Sequence, residues 1–263
     1  MRARGMVLVS LAALFGPGLA WAVDSQDLPS DRIEEIIQKF AAKESEFAKA
    51  RELYTYRQSA RIQTLDDGGK WETDSDIVFD AEGKRNEHVV FSPVSTLELV
   101  TLTPEDMEDL RNTQPFVLTS ADLPKYFVRY LGRQSVDEIT CYVFAVKPRK
   151  METGQRYFEG EVWVDDRDLQ IVKSYGRGMG ANKKKGKEDY PKFETYREQI
   201  DGKYWFPTYT TANSTLHFKE NDVRLKETVR YENYKQFKAQ STIKFEPEDD
   251  KNPPAGATPP KKP

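Results

Sequence analysis

A strand, a short polar turn and a second strand follow one another within residues 157–175. Both strands are rich in β-branched and aromatic residues, which pack well on a pleated surface. The intervening residues 165–168 include three aspartates, whose short side chains can hydrogen-bond their own backbone in turns. The pattern predicts an antiparallel hairpin, and similar units recur before and after it.

Roughly ten strands are predicted in all, and tight turns separate most of them. The predicted strands cover residues 53–65, 71–79, 85–91, 126–134, 139–147, 158–164, 169–175, 192–200, 204–218 and 223–237. The dipeptide Asp201-Gly202 is a strong hairpin signal. Short connections make neighbouring strands antiparallel. We therefore predict a mainly β protein with one long meander, strongly curved into an incomplete, half-open β-barrel.

An amphipathic helix is predicted for residues 31–50, before the first strand. Its apolar side chains recur at the i, i+3, i+4, i+7 spacing of one helix face. Ser30 or Asp31 is the expected N-cap, with Glu34 reaching back if Asp31 caps. We expect the apolar stripe to lie against the sheet.

A second, shorter helix is predicted to begin at Thr103 and to end near Arg111. Thr103 is a good N-cap, Pro104 suits the first helical position, and two acids follow it. Residues 112–124 look irregular. This helical insertion, like the N-terminal helix, is expected to cover the concave side of the sheet.

Residues 1–22 read as a secretory signal peptide, which predicts a periplasmic protein. Arg2 and Arg4 precede a short apolar run, and Ala20-Trp21-Ala22 fits the small-x-small cleavage pattern, with cleavage after Ala22. Residues 23–245 are expected to form one domain. Residues 246–263 hold Pro, Lys, Asp and Gly with little that is apolar, and are expected to be a disordered tail.

No residue pattern points to catalysis, a metal or a cofactor. The formal net charge of −3 gives no case for nucleic-acid binding. Cys141 is the one cysteine, so an internal disulfide is excluded and a buried thiol is expected. His88 and His217 lack metal-ligand spacing, and no nucleophile elbow is present. A two-histidine site formed across the sheet, and an enzyme using it, are the remaining alternatives.

Several strand motifs carry a family pattern. They are Tyr130-Leu131-Gly132, then residues 139–144 ending in Lys147-Pro148, then residues 160–165 leading to Ile171-Val172-Lys173. Together they resemble the outer-membrane lipoprotein-sorting (LolA/LolB-like) superfamily, over about residues 52–237. The resemblance implies an unclosed β-barrel with helices in its mouth and a hydrophobic cavity for lipid or lipoprotein acyl chains. The chain would be a divergent member, because it is longer and has a Pro-rich tail and a Lys-rich loop.

A cavity for acyl chains needs a dry wall and a lid. The wall candidates are apolar residues at alternate strand positions: Phe79, Phe91, Tyr142, Phe144, Val162, Val164, Val172 and Trp205. The lid candidates lie on the two helices: Ile33, Ile36, Ile37, Phe40, Met107 and Leu110. Lys183, Lys184 and Lys185 are candidates for contact with anionic head groups. Ordinary core packing, and a solvated loop for the lysines, are the alternatives.

The function expected from these features is that of a periplasmic, non-enzymatic carrier or binder of lipid or acylated protein. It would need no cofactor, act as a monomer and contact membranes only peripherally. The alternative is an envelope sensory or protein-interaction domain on the same fold, with an interior filled by its own side chains and a protein partner.

Overall fold

The structure, a computed structural model, describes residues 28–181, 191–218 and 221–237. One sheet of ten strands dominates it. The strands are β1 (Tyr54–Thr64), β2 (Lys70–Phe79), β3 (Arg85–Phe91), β4 (Tyr126–Val136), β5 (Ile139–Pro148), β6 (Arg156–Asp165), β7 (Ile171–Gly180), β8 (Phe193–Ile200), β9 (Tyr204–His217) and β10 (Asp222–Gln236). The predicted mainly β fold with an open antiparallel sheet is confirmed. The predicted signal peptide, the tail and Lys183, Lys184 and Lys185 lie outside the described residues.

Two helical segments accompany the sheet. Helix α1 (Ser30–Arg51) precedes β1, and α2 (Pro104–Glu108) lies between β3 and β4. A π-helical turn, Asp109–Thr113, continues α2, and a 3-10 turn, Leu123–Lys125, leads into β4. We call residues 104–125 the insertion.

The turn chemistry of the sequence is confirmed at two hairpins. At the β6–β7 turn, the Asp165 side chain accepts a hydrogen bond from the Arg167 amide at 2.8 Å. At the β8–β9 turn, Asp201 and Gly202 have φ angles of 53° and 67°. Positive φ at both central residues matches the twist of the flanking strands, which is why this dipeptide closes hairpins well.

The strand order differs from a single meander at one connection. The order is β3-β2-β1-β10-β9-β8-β7-β6-β5-β4, so the first and last strands pair with each other in the middle of the sheet. Consecutive strands β3 and β4 lie at opposite edges. The chain between them therefore has to cross the whole sheet, and the insertion is the part of that crossing that packs on it.

The helix starts agree with prediction at α2 and differ at α1. Thr103 caps α2 in a full capping box, in which Thr103 and Asp106 each accept from the other's backbone amide. The N-cap of α1 is Pro29, and no side chain caps it. The prediction of a Ser30 or Asp31 cap was therefore wrong, because the helix already includes both residues.

Helix α1 and the insertion lie on the same side of the sheet, which we call the covered face; the other side is the open face. Two large apolar clusters occupy the covered face, beside a smaller one formed by Phe47 of α1, Tyr54 and Phe206. One lies beneath α1 and draws on β4 to β9, including Phe144 and Val162. The other lies beneath α2 and draws on β1, β2 and β10, including Ile62 and Val229. Helix α1 thus covers one half of the face together with Phe116 and Leu118 of the insertion, and the start of the insertion covers the other half.

Strand β7 runs on through residues 176–180, beyond the predicted end of this strand at residue 175. The covered-face positions there are glycines, and the Phe158 ring lies directly over one of them: a Cβ at Gly176 would come within 2.6 Å of it. The sequence pattern failed at this point because small residues were needed for close packing, and glycine reads as a loop signal.

Replacing Gly176 by Ala should lower the free energy of unfolding by about 1–3 kcal/mol, because the added methyl would collide with the Glu159 carbonyl oxygen and overpack the Phe158 ring. Urea unfolding measures it. Gly180→Ala is the matched control on the same strand, since its new Cβ would meet no atom closer than the Arg156 side chain at 3.1 Å. Equal losses in the two variants would contradict the packing explanation.

Candidate functional site

The apolar wall beneath α1 is the part of the covered face that corresponds best to the wall of the predicted cavity. Four of the wall candidates lie there in one cluster: Tyr142, Phe144, Val162 and Val164. Helix α1 fills the space above them. Phe40 is 0% exposed, and its ring centroid lies 5.2 Å from that of Phe144. The lid candidates Ile33, Ile36 and Ile37 pack into the same cluster.

The other four wall candidates lie elsewhere. Phe79 packs, partly buried, into the cluster beneath α2, while Phe91 is 50% exposed on edge strand β3. Val172 and Trp205 belong to a separate cluster on the open face. Val164 pairs with Ile171, so Ile171 shares its face and the next residue, Val172, points to the opposite side. The structure therefore does not bring the eight residues together.

The remaining lid candidates, Met107 and Leu110, pack on the cluster beneath α2. That half of the covered face carries buried polar groups as well. The Gln58 side chain donates to the Leu110 carbonyl at 3.4 Å and accepts from Arg85 at 2.9 Å. An acyl chain placed there would strip these groups of partners, which is costly in an apolar setting. The α1 half is the better apolar wall.

Two solvent-open grooves of about 510 and 450 Å³ also mark the described surface. The first is lined by Tyr175, Arg177, Lys192 and Glu194 among others, the second by Tyr209 and Arg230 among others. None of the eight wall candidates lines either groove. In this conformation the wall beneath α1 is packed by the chain itself.

A buried ion pair joins α1 to the sheet. Glu44 of α1 is 0% exposed, and the Arg197 side chain of β8 is 2% exposed. Arg197 donates to both Glu44 carboxylate oxygens at 3.2 Å, and Glu44 also accepts from the Ile171 amide at 3.0 Å. Burial raises the pKa of Glu44, while the positive charge of Arg197 opposes that shift. Arg197 also donates to the Phe116 carbonyl of the insertion.

A second ion pair joins the insertion to the sheet. Arg156 of β6 donates to Asp109 through Nε at 2.9 Å and through a further contact from Nη2. Gly178 of β7 makes room for this carboxylate, because a Cβ there would collide with it. Burial raises the pKa of Asp109, and Arg156 opposes that shift.

A third link is a buried hydrogen bond between an amide and a carboxyl group. Gln114 of the insertion donates to Glu227, which lies on the central strand β10. Both side chains are buried. Burial raises the pKa of Glu227 to about 7, and the negative charges of Asp109 and Asp106 add to the effect.

Sequence reasoning missed these three links, although two of them left a signal. Glu44 stands four residues after Phe40 and three before Phe47, inside the apolar stripe of α1. Glu227 stands between Leu225 and Val229 in the alternation of buried positions along β10. A charge at an otherwise apolar position of a periodic pattern indicates a buried partner. The partners themselves lie on distant elements, so no local pattern could supply them.

The residues considered for chemistry do not form a site. His217 contacts Asp222 at 2.8 Å on an exposed hairpin, and His88 lies on another strand. Among residues 28–181, 191–218 and 221–237, no three His, Cys, Asp or Glu side chains could together hold a metal ion. Cys141 is buried as expected, and burial raises the pKa of its thiol to about 12. Within the same residues, no helix is both long and apolar enough to cross a membrane.

Comparisons by sequence found no relative. No protein-family model matches the chain, and no curated protein matches it.

Solved structures do match by fold. A LolA superfamily protein from Nitrosomonas europaea is 14% identical with a TM-score of 0.33, over 74% of this chain and 94% of its own. A DUF1329 family protein from Desulfovibrio piger is 13% identical with a TM-score of 0.38, over 80% and 97%. A putative outer membrane lipoprotein-sorting protein domain from Vibrio parahaemolyticus is 11% identical with a TM-score of 0.37, over 76% and 93%. At such identities and scores the likeness concerns the general fold alone.

The buried carboxyl of Glu227 predicts a pH-dependent stability. Its pKa is raised from 4.5 to about 7 in the folded chain, so the folded state holds the proton longer than the unfolded state. Its contribution to stability is therefore fully present below pH 4.5 and is lost as the pH rises through about 7. The loss should be roughly 3 kcal/mol at most.

Glu227→Gln isolates this effect, because the amide cannot ionise and can still accept from Gln114. Glu44 and Asp109 have raised pKa values too, so the informative quantity is the difference between wild type and variant. Urea unfolding at several pH values should show the wild type losing stability relative to Glu227→Gln between about pH 5 and pH 8. A constant difference across that range would contradict the assignment.

Proposed function

We propose that this protein is a non-enzymatic binding protein of the cell envelope that takes up the acyl chain of a lipid or of a lipidated protein beneath α1. The observation that carries the proposal is the aromatic and aliphatic wall on β4 to β9, covered by the amphipathic helix α1 together with Phe116 and Leu118 of the insertion. Because α1 occupies this wall, uptake requires α1 to move aside while the chain takes its place.

The energies of such an exchange are comparable. The apolar stripe of α1 buries four large side chains, Ile36, Ile37, Phe40 and Phe47. At about 1.5–3 kcal/mol each, they hold the helix with roughly 6–12 kcal/mol. A saturated chain of about 15 methylenes gains roughly 12 kcal/mol on leaving water, at about 0.8 kcal/mol per methylene. In apolar burial alone, an acyl chain can therefore replace the stripe without a large net cost.

The attachment of α1 also suits displacement. Its hydrogen bonds to the body of the described structure run through the side chains of Glu44 and Ser45: Glu44 accepts as described above, and Ser45 accepts from the Ser120 amide at 2.9 Å. No strand has to unpair when the helix leaves, because α1 takes no part in the sheet ladder. Glu52 is the natural hinge, because it lies between α1 and Leu53, whose carbonyl accepts a hydrogen bond from the Phe237 amide at 2.7 Å.

A second candidate is the protein-interaction domain with a filled interior. The packing of Phe40 against Phe144 favours this second candidate, because both side chains are 0% exposed and their rings are in contact. In that case α1 would be a fixed part of the core, and a protein partner would bind the outer surface.

A reversible tether of α1 distinguishes the two candidates. In a Ser45→Cys, Ser120→Cys variant, oxidation should link α1 to the segment that leads into β4, because the two positions are in hydrogen-bond contact. We expect the oxidised form to lose binding of a fluorescent fatty acid by about tenfold or more, and reduction to restore it. Equilibrium fluorescence titration measures both states, with wild type under the same redox conditions as the control.

Equal binding in the oxidised and reduced forms would contradict uptake beneath α1. Failure of every form to bind the fatty acid, together with one stoichiometric protein partner recovered by cross-linking in the envelope, would favour the second candidate. Lipid extraction of the purified wild type is a separate check, since a carrier of this kind should retain co-purified lipid.

A further inference from the structure

The chemistry at Glu44 indicates what kind of acyl compound the site would take. Resting on the proposed function, we propose that the ligand is an anionic amphiphile: its chain replaces the apolar stripe of α1, and its carboxylate or phosphate head group replaces the Glu44 carboxylate on Arg197. Both replacements follow from the same movement, because the stripe and Glu44 belong to one helix face.

Arg197 stays with the sheet when α1 leaves. It projects from β8 beside the apolar wall, where Phe47 of α1 also packs near its guanidinium, at 5.0 Å from the ring centroid. Glu44 is the carboxylate that neutralises Arg197, as the ion pair described above. Removal of α1 thus uncovers the wall and deprives a buried positive charge of its partner in one step.

A buried charge without a partner is strongly disfavoured. A neutral amphiphile would fill the wall and leave Arg197 unpaired, apart from its bond to the Phe116 carbonyl. An anionic head group would restore a charge-assisted hydrogen bond of the kind that guanidinium groups form well with carboxylates and phosphates.

The other ion pair on the covered face provides an internal comparison. Asp109 and Arg156 make the same type of contact, but the carboxylate comes from the insertion. Displacement of α1 leaves that pair intact. The inference therefore predicts that head-group selectivity depends on Arg197 and is independent of Arg156.

The test measures the ratio of affinities for anionic and neutral compounds with the same chain. Dodecanoate and dodecyl phosphate are the two anionic probes, which separate a carboxylate from a phosphate preference, and dodecanol is the neutral one. Displacement of a fluorescent fatty acid from the purified protein gives the affinity for each probe. For wild type we expect at least one of the anions to bind about tenfold or more tightly than dodecanol.

Variants assign the selectivity to its residue. Glu44→Gln should tighten all three probes by a similar factor, because the closed state is weakened while Arg197 is unchanged, so the ratio stays. Glu44→Gln combined with Arg197→Gln replaces the ion pair by two neutral amides, which avoids a lone buried charge, and should bring the ratio to about one. Asp109→Asn combined with Arg156→Gln is the matched control and should keep the wild-type ratio.

Each other result has a definite meaning. Equal binding of dodecanol and both anions by wild type overturns the inference and leaves acyl binding standing. A preference that survives Glu44→Gln with Arg197→Gln, or that disappears in the Asp109 and Arg156 double variant, also overturns it. Failure of all probes to bind overturns the proposed function, and the inference with it.

Discussion

The pairing of the first strand with the last is the constraint on which the architecture depends. Because β1 and β10 are neighbours, the ladder of β4 to β10 is joined to the short meander of β1 to β3 in the middle of the sheet. The chain must then travel from one edge to the other between β3 and β4. That path lies over the apolar face, so the connection between β3 and β4 also covers part of this face. Helix α1, which enters directly before β1, is the other cover.

The covers are fixed to the sheet by polar contacts as well as by apolar packing. An apolar stripe alone could slide or rotate on a broad wall, since hydrophobic contact has little directionality. The ion pairs of Glu44 with Arg197 and of Asp109 with Arg156 have one geometry each, and a misplaced cover would leave a charge buried without a partner. Such contacts add little to stability compared with well-packed apolar groups, but they specify where each cover lies.

The local parts of this structure could be predicted from the sequence, and the long-range parts could not. Residues that determine their own neighbourhood were informative: the capping box begun by Thr103, the hairpin at Asp201-Gly202 and the turn after Asp165 all formed as expected. The β1–β10 pairing joins segments far apart in the chain. The sequence of an antiparallel strand does not specify which distant strand it will pair with. The division of Val164 and Val172 between the two faces depended on a register irregularity after Trp163, which alternation alone does not reveal. The buried acids stood out only as exceptions in apolar patterns, without their partners.

The position of the one cysteine has a practical consequence. Cys141 is buried in the cluster of the open face, beside Trp163 and Val172, while α1 lies on the other side of the sheet. Because α1 lies on the other face, its displacement alone would leave Cys141 shielded, whereas separation of β5 from its neighbours would expose the thiol to alkylating reagents. The alkylation rate of Cys141 would therefore report global unfolding and would be insensitive to the position of α1. The rate of Cys141 alkylation would therefore distinguish displacement of α1 from separation of the strands of the sheet.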